Sequence, residues 1–300
     1  MKYIYYPGCS LKSTGKLYEE SLLAVFDALG IEYEELNDWN CCGATAYMAV
    51  DEKKAFVLAA RNLALAEQQM KDEKEVNIVA PCSACYMILL KTQKYLEDNP
   101  EDMAVIKAAL KESGLEYNAK AKVRHPIDVL INDLGEKEIS KRITKPLKGI
   151  RVASYYGCQT VRPYSTFDDQ RNPVAMDNLF KAAGAEVVDW SMKTRCCGAS
   201  LTGTIQEVAL PLSYIILHEA KKRRADVVTT ACSLCQFNLE CYQTNIDKKF
   251  KTDTKIDVIY FTQLLGLALG IEPKKLGMNR LFSQPEDLYR IMEGGKPVYV

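Results

Sequence analysis

The stretch that decides the organisation of this sequence is Asn40-Cys41-Cys42-Gly43-Ala44, because it returns in the second half of the chain as Arg195-Cys196-Cys197-Gly198-Ala199. A single cysteine stands upstream of each copy, and a Cys-x-x-Cys pair stands downstream of it. The N-terminal set is Cys9, Cys41, Cys42, Cys82 and Cys85, and the C-terminal set is Cys158, Cys196, Cys197, Cys232 and Cys235. The same cysteine order, used twice, indicates a tandem duplication.

The composition excludes several classes of protein. The 39 Lys+Arg and 39 Asp+Glu give a formal net charge of zero over 300 residues, whereas general nucleic-acid binding needs an excess of cationic surface. No apolar run approaches the ~20 residues of a membrane span, and the N-terminus lacks the apolar stretch of a signal peptide. We therefore predict a soluble cytoplasmic protein whose cysteines serve metal binding or redox chemistry rather than disulfides.

Short apolar strands alternate with amphipathic helices in both halves. Strands are predicted at Tyr3–Tyr6, Ile31–Leu36, Val76–Ala80, Arg151–Tyr155, Glu186–Asp189 and Asp226–Thr230. Helices are predicted at Lys16–Leu29, Glu52–Met70, Ala84–Leu96, Pro173–Ala183, Ile205–Arg223 and Ser233–Thr244. This alternation predicts an α/β fold with a small, mainly parallel sheet flanked by helices in each half. Because each cysteine segment follows a strand, the five sulfurs of a set are expected to converge at the carboxyl edge of a sheet.

The boundary between the halves is placed between Asn132 and Gly149, where the sequence is charged and polar and contains Pro146. We predict an N-terminal domain over residues 1–135 and a C-terminal domain over residues 149–276. Residues 277–300 are predicted to form an irregular tail that acts as a docking or closing arm. The duplication predicts that the two domains are related by pseudo-two-fold symmetry.

Five cysteines per half exceed the needs of one ordinary metal site. A structural zinc and a simple cubane cluster each take four ligands, so the fifth cysteine must bridge metals, bind an unusual cluster or stay free. Neighbouring side chains of a strand point to opposite faces, so the Cys-Cys pair can serve one site only from an irregular turn, which Gly43 and Gly198 permit. Buried cysteines with a zinc clip in each half are the alternative. Cys241 is interpreted as a buried packing cysteine.

The repeated pattern Cys-x₃₁-Cys-Cys-Gly-x₃₈-Cys-x-x-Cys resembles the CCG domain of heterodisulfide reductase. Two copies in a chain of this length resemble the family of B subunits of the soluble enzyme in methanogenic archaea. The resemblance implies that each cysteine set holds a noncubane [4Fe-4S] cluster. It also implies an oxidoreductase that cleaves the disulfide of coenzyme M and coenzyme B to two thiols, with one electron from each cluster, in the last step of methanogenesis.

The resemblance also implies partners. These are the iron–sulfur C subunit of heterodisulfide reductase, its flavin-containing A subunit, which bifurcates electrons, and a hydrogenase or formate dehydrogenase upstream. The CCG motif also occurs in iron–sulfur subunits of thiol:fumarate reductase and of some succinate:quinone reductases. An electron-transfer or scaffold protein that never touches a disulfide, and a relative that acts on another disulfide, therefore remain as alternatives.

An anionic substrate such as this disulfide calls for cationic side chains near the cysteines. Lys12 and Lys16 after Cys9, and Lys193 and Arg195 before Cys196, are the candidates. Solvated surface charge is the competing interpretation of each of them. His125 is a candidate proton donor to a product thiolate, and a structural histidine is the alternative.

Overall fold

The computed structural model describes residues 2–44 and 46–295, which contain two four-stranded sheets. The strands of the N-terminal sheet are β1 (Lys2–Tyr5), β2 (Glu32–Glu35), β3 (Val76–Val79) and β4 (Ala121–Arg124). Those of the C-terminal sheet are β5 (Arg151–Tyr155), β6 (Glu186–Val187), β7 (Val227–Thr230) and β8 (Asp257–Tyr260).

The two sheets have the same topology. The strand order is β2-β1-β3-β4 in the first and β6-β5-β7-β8 in the second, and all paired strands are parallel. Tyr5 pairs with both Glu35 and Val79, so the first three strands of the N-terminal sheet end at one level. The predicted α/β fold, with two repeated parallel sheets flanked by helices, is confirmed.

Fifteen α-helices lie within the described residues. Those of the first half are α1 (Gly8–Leu11), α2 (Lys16–Leu29), α3 (Ala46–Val50), α4 (Glu52–Gln69), α5 (Ser83–Asp98), α6 (Pro100–Glu112), α7 (Pro126–Asp128) and α8 (Glu136–Arg142). Those of the second half are α9 (Ala175–Ala182), α10 (Ala199–Thr202), α11 (Gln206–Lys222), α12 (Ser233–Cys241), α13 (Gln243–Phe250), α14 (Phe261–Ala268) and α15 (Glu286–Met292). A π-helix covers Val129–Leu134, and a 3₁₀ helix covers Met278–Arg280.

Local sequence signals explain where the longest helices begin and end. α2 ends at Gly30, which takes the left-handed conformation with φ of 69°. α4 begins after Asp51, whose carboxylate accepts a hydrogen bond from the backbone N–H of Lys54. α6 begins at Pro100, where the missing N–H costs nothing.

One apolar core contains residues of both halves, and a second lies within the C-terminal half. Tyr18 of α2 stacks on Tyr260 with ring centroids 4.3 Å apart, and it meets Phe261 of α14 edge-on. The hydroxyls of Ser21 and Thr262 lie 2.6 Å apart in the same contact. All these side chains are buried, so the relative position of the halves is fixed by packing of α2 against α14.

Several predicted segments differ from the observed ones. The tail beyond Gly277, predicted to be irregular, contains the 3₁₀ turn and α15, whose Leu288 and Ile291 are buried. Residues 296–300 of that tail lie outside the described residues. The helix predicted over Ser233–Thr244 is interrupted at Tyr242 and continues as α13. The polar stretch chosen for the domain boundary holds α8, which packs against α9 through buried Ile139; the boundary itself stays a prediction.

Candidate metal centres

All ten repeated cysteines follow the carboxyl ends of strands. In the N-terminal half, Cys9 follows β1, the Cys41-Cys42 pair follows β2, and Cys82 and Cys85 follow β3. The C-terminal half repeats this placement after β5, β6 and β7. Because β1, β2 and β3 are neighbours in one sheet, as are β5, β6 and β7 in the other, each topology brings three cysteine segments to one edge.

The same positions of the motif are buried in both halves. The second cysteine of the pair and both cysteines of Cys-x-x-Cys are buried, and these are Cys42, Cys82, Cys85, Cys197, Cys232 and Cys235. The other two positions lie nearer the solvent: Cys9, Cys41 and Cys196 are exposed, and Cys158 is half-buried. Each set therefore has a closed side within the protein and an open side toward solvent.

Sulfur atoms are in contact on the closed side. The Sγ atoms of Cys42 and Cys85 are 3.2 Å apart, and those of Cys197 and Cys235 are 3.5 Å apart. A hydrogen bond from Cys85 is the main influence that lowers the pKa of Cys82 to about 7. A hydrogen bond from Cys158 lowers the pKa of Cys196 to about 6. Since the thiolate is the form that binds metal, each set includes a thiol that loses its proton near neutral pH.

A glycine gives the sulfurs room in each set. Gly8 has φ of 64°, and a Cβ there would lie 2.9 Å from the Sγ of Cys85. Gly157 has φ of 74°, and its Cβ would lie 3.0 Å from the Sγ of Cys235. The glycine after each Cys-Cys pair also has a positive φ, 80° at Gly43 and 82° at Gly198. The irregular turn expected from the sequence is therefore present in both halves.

A buried tyrosine braces each Cys-Cys turn, although the sequence alone favours a core role for these tyrosines. The hydroxyl of Tyr6 donates to the carbonyl of Asn40 at 2.8 Å, and that of Tyr155 donates to the carbonyl of Arg195 at 2.6 Å. Both acceptors directly precede a Cys-Cys pair. Tyr6 and Tyr155 are equivalent when the two halves are aligned on the glycines Gly8 and Gly157. They are not matched when the halves are aligned on their Tyr-Tyr pairs, because Pro7 adds one residue before Gly8.

The donor set fits a metal group larger than one ion. Among the described residues, no three Cys, His, Asp or Glu side chains are arranged around a single metal position. The sulfurs of a set instead run from the buried contact of Cys42 and Cys85 to exposed Cys9 and Cys41. Five thiols beside a glycine without a side chain fit a polynuclear iron–sulfur group, which takes thiolate ligands.

The lysines predicted for substrate binding are engaged within the protein. Lys12 pairs with Glu19 at 2.6 Å and with Glu35 at 2.7 Å, and Lys16 pairs with Glu19 at 2.5 Å. Lys193 is 3% exposed, pairs with Asp177 at 2.5 Å and donates to the Pro173 carbonyl. The charge of Lys193 is therefore balanced by the buried carboxylate of Asp177 and is not available to bind an external anion.

Two arginines lie at the open side of the C-terminal set. Arg195 is exposed, and no ion pair to it occurs in the described part of the chain. Arg162 donates to the Thr194 carbonyl, and its charge helps to lower the pKa of Cys196. The sequence analysis predicts Arg195 as a substrate-binding residue but not Arg162. The only sequence signal for Arg162 is its position four residues after Cys158.

His125 lies inside the protein, at the seam between the halves. It is 0% exposed, and burial lowers its pKa to about 3. Its Nδ1 accepts from the backbone N–H of Ile127 at 3.2 Å, so Nε2 carries the proton, near the carbonyls of Pro81 and Ala231. Those residues directly precede Cys82 and Cys232. At neutral pH the imidazole is uncharged, so this environment suits a structural role better than proton donation.

A cavity of about 1060 Å³ lies away from the cysteine sets. It is lined by Asp226 and Asp257, which stand at the amino ends of β7 and β8, and by Cys241 and Phe282. The cysteine sets are at the opposite ends of the strands. Cys241 is half-buried rather than fully buried as predicted, and burial raises its pKa to about 12.

Asp257 at this cavity predicts a pH effect on stability. Burial raises its pKa from 3.8 to about 7, so its contribution to stability is complete below pH 4 and is lost as the pH rises toward 7. Replacement by asparagine removes the cost of burying the charge. We expect Asp257→Asn to exceed the original protein in free energy of unfolding by about 4 kcal/mol at pH 8, and by less than half of that at pH 5, in urea titrations. An equal difference at both pH values would contradict the assignment.

Comparison with known proteins decides the family. Residues 3–90 and 152–240 match the profile of the cysteine-rich domain called CCG. The chain belongs to the CCG cysteine-rich domain family. Both matched segments include all five cysteines of their set, in agreement with the predicted duplication.

Relatives similar over most of the chain carry two kinds of name. The chain is 32% identical to the 8-methylmenaquinol:fumarate reductase membrane anchor subunit of Wolinella succinogenes, over 93% of this chain and 95% of the relative. It is also 32% identical to the B subunit of the ferredoxin/F420H2-dependent CoB-CoM heterodisulfide reductase of Methanosarcina acetivorans, over 91% of each chain. A protein of Archaeoglobus profundus, named as like the B subunit of heterodisulfide reductase, is 31% identical over 98% of this chain and 99% of the relative. The predicted resemblance to the B subunit is confirmed.

A solved structure supports the fold. The chain is similar to a hypothetical protein from Helicobacter pylori, with a TM-score of 0.73, 14% sequence identity and 94% of this chain covered. The match spans 51% of that protein, about half its length. Within the described residues, no helix is long and apolar enough to cross a membrane.

Proposed function

We propose that this CCG protein is the disulfide-reducing component of a heterodisulfide reductase, in which each cysteine set holds one noncubane [4Fe-4S] cluster. One observation carries the proposal: both halves bury the same three cysteines and leave the same two positions nearer the solvent. A zinc clip would not need a solvent-facing pair of sulfurs in both halves. An open side on each set is what a reaction with an external substrate requires.

The presence of two cysteine sets in one chain fits the stoichiometry of disulfide reduction. Cleavage of one disulfide consumes two electrons and two protons and releases two thiols. When bound, an iron–sulfur cluster supplies one electron at a time and an iron that can take a sulfur atom. The ten repeated cysteines would act as the ligands, and the hydrogen bonds of Tyr6 and Tyr155 hold the Cys-Cys turns in place.

Cationic side chains at the open side of each set are proposed to bind the substrate. The disulfide of coenzyme M and coenzyme B carries sulfonate, phosphate and carboxylate groups, for which arginine offers paired donors. Arg195 is exposed beside Cys196, and Arg162 lies near the same cysteine. Lys12 and Lys16 remain candidates beside the N-terminal set, although Glu19 and Glu35 already balance their charge.

Electrons are proposed to come from other components of the family complex. The iron–sulfur C subunit would deliver them from the flavin-containing, electron-bifurcating A subunit, with a hydrogenase or formate dehydrogenase upstream. In this setting the reaction is the last step of methanogenesis, in the reducing cytoplasm that keeps such thiols free.

A second candidate function follows from the relative in Wolinella succinogenes, whose name assigns it to a menaquinol:fumarate reductase. In that case the chain would pass electrons between a quinol and a partner protein, and no disulfide would react. The cysteine sets would be the same, so the two candidates differ only in what reacts at the open side.

Addition of the coenzyme M–coenzyme B disulfide to anaerobic, pre-reduced protein separates the candidates. We expect the visible cluster absorption that reduction had bleached to recover as the clusters are oxidised, with one molecule of each thiol released for every two electrons. Arg195→Ala should require a higher disulfide concentration for the same effect, while Cys241→Ala should behave as the original protein. If the disulfide leaves the spectrum unchanged and a menaquinone analogue oxidises the reduced protein, the second candidate is right.

A further inference from the structure

The two Cys-x-x-Cys turns meet at the seam between the halves, and each reaches across it with a serine. Ser83 follows Cys82, and Ser233 follows Cys232, so the serines occupy the same motif position. The Ser233 hydroxyl lies 2.7 Å from that of Ser10 in the N-terminal half. The Ser83 hydroxyl lies 2.7 Å from that of Thr160 in the C-terminal half. The two crossings are thus structurally equivalent.

The proton of Ser233 points to a sulfur atom. Ser10 donates its hydroxyl proton to the Oγ of Ser233, which leaves the proton of Ser233 free for another acceptor. That acceptor is the Sγ of Cys82, 3.8 Å away. Ser233 and Cys82 are each 4% exposed, so water does not compete. Successive hydroxyl donors polarise one another and strengthen the last bond.

The equivalent crossing has no sulfur acceptor. Thr160 donates its hydroxyl proton to the Tyr156 carbonyl at 2.7 Å. The Ser83 proton then goes to the Oγ1 of Thr160 or to the Ala231 carbonyl at 3.3 Å. Among the described residues, no cysteine of the C-terminal set accepts from Ser83. The two Cys-x-x-Cys turns therefore differ at this proton, because the serine hydroxyl donates to a cysteine sulfur in one crossing and not in the other.

The relay between Ser10 and Ser233 is closely packed. A Cβ added at Gly15 would lie 3.2 Å from the Cβ of Ser233 and 3.3 Å from the Oγ of Ser10. The backbone N–H of Gly15 also donates to the Ser10 carbonyl at 2.8 Å. Glycine at this position lets the segment after Cys9 approach the opposite half closely enough for the two hydroxyls to meet.

We propose that the relay from Ser10 through Ser233 to Cys82 raises the reduction potential of the N-terminal metal centre, an effect that has no equivalent at the C-terminal centre. Hydrogen bonds to ligand sulfurs favour the more negative, reduced state of a cluster and are one of the means by which proteins set its potential. Ser233 acts on the centre through its hydrogen bond to Cys82 and is a positioning residue rather than a ligand. The inference rests on the proposed binding of iron–sulfur clusters.

Redox titration of the anaerobic protein, followed by electron paramagnetic resonance, tests this difference. In Ser233→Ala, we expect one of the two cluster signals to move to lower potential, with the partition of an electron between the centres changed by about ten-fold, or about 59 mV for one electron. Ser10→Ala should move the same signal in the same direction by less. Ser233→Thr keeps the hydroxyl and should restore the original value.

The matched control is Ser83→Ala, which removes the equivalent hydroxyl and should move neither signal. The inference is overturned if Ser233→Ala leaves both potentials unchanged, or if Ser83→Ala produces the same shift. Ser10 is only half-buried, so its variant still decides the matter if Ser233→Ala does not fold. Iron analysis of each sample distinguishes failure of this inference from failure of the proposed cluster binding. Two iron–sulfur clusters without a shift in potential overturn this inference alone. Zinc in place of iron overturns the proposed cluster binding as well.

Discussion

Replacement of Cys85 by alanine is expected to remove the iron of the N-terminal half and leave that of the C-terminal half, so that about eight irons per chain fall to about four. Cys85 is 3% exposed, and its sulfur touches that of Cys42 on the closed side of the set. Its loss removes a ligand at the point where the other sulfurs meet. Iron and acid-labile sulfide measured on anaerobically purified protein check the result.

Two further variants serve as controls for this experiment. Cys235→Ala is the repeat equivalent and should also remove about half of the iron. Cys241→Ala removes a cysteine that belongs to neither set and should remove none. Full iron in Cys85→Ala would contradict the assignment, because it would mean that the closed side of the N-terminal set holds no metal.

The second large effect is expected at Lys193. Lys193→Met should lower the free energy of unfolding by about 3–5 kcal/mol, because removal of one partner of a buried ion pair leaves the other charge uncompensated. The side chains of Lys193 and Asp177 are 4% and 6% exposed, and Lys193 is the cation that Asp177 meets at 2.5 Å. Urea unfolding of both proteins under one set of conditions measures the difference.

The double variant Lys193→Met, Asp177→Leu is the control. Removal of both charges should recover most of the lost stability, since apolar residues often replace a buried pair at little cost. A role in substrate binding predicts a different pattern: Lys193→Met would raise KM for the disulfide and leave the unfolding curve unchanged. That pattern would overturn the structural role.

The repeat of the cysteines made the fold predictable. Strands followed by cysteine segments, alternating with helices such as Lys16–Leu29, correctly indicated two parallel sheets and the edge at which the sulfurs meet. The irregular turns that the sequence predicts after the Cys-Cys pairs are also present, and Gly43 and Gly198 form them with positive φ.

Other features depend on contacts between residues far apart in the chain, which no local pattern reveals. Lys193 lies near Cys196 in sequence, but Asp177 takes its charge. The relay from Ser10 to Ser233 joins positions in opposite halves. α15 has a short apolar face whose burial depends on the surface it meets, so its local pattern does not predict a packed helix there.

Metal analysis of the anaerobically purified protein tests the central claim, that both halves carry a reactive iron–sulfur centre. We predict about eight irons, about eight acid-labile sulfides and no zinc per chain, as two four-iron clusters require. About four irons together with one zinc would contradict the account, because one half would then be structural and both electrons would have to pass through a single cluster.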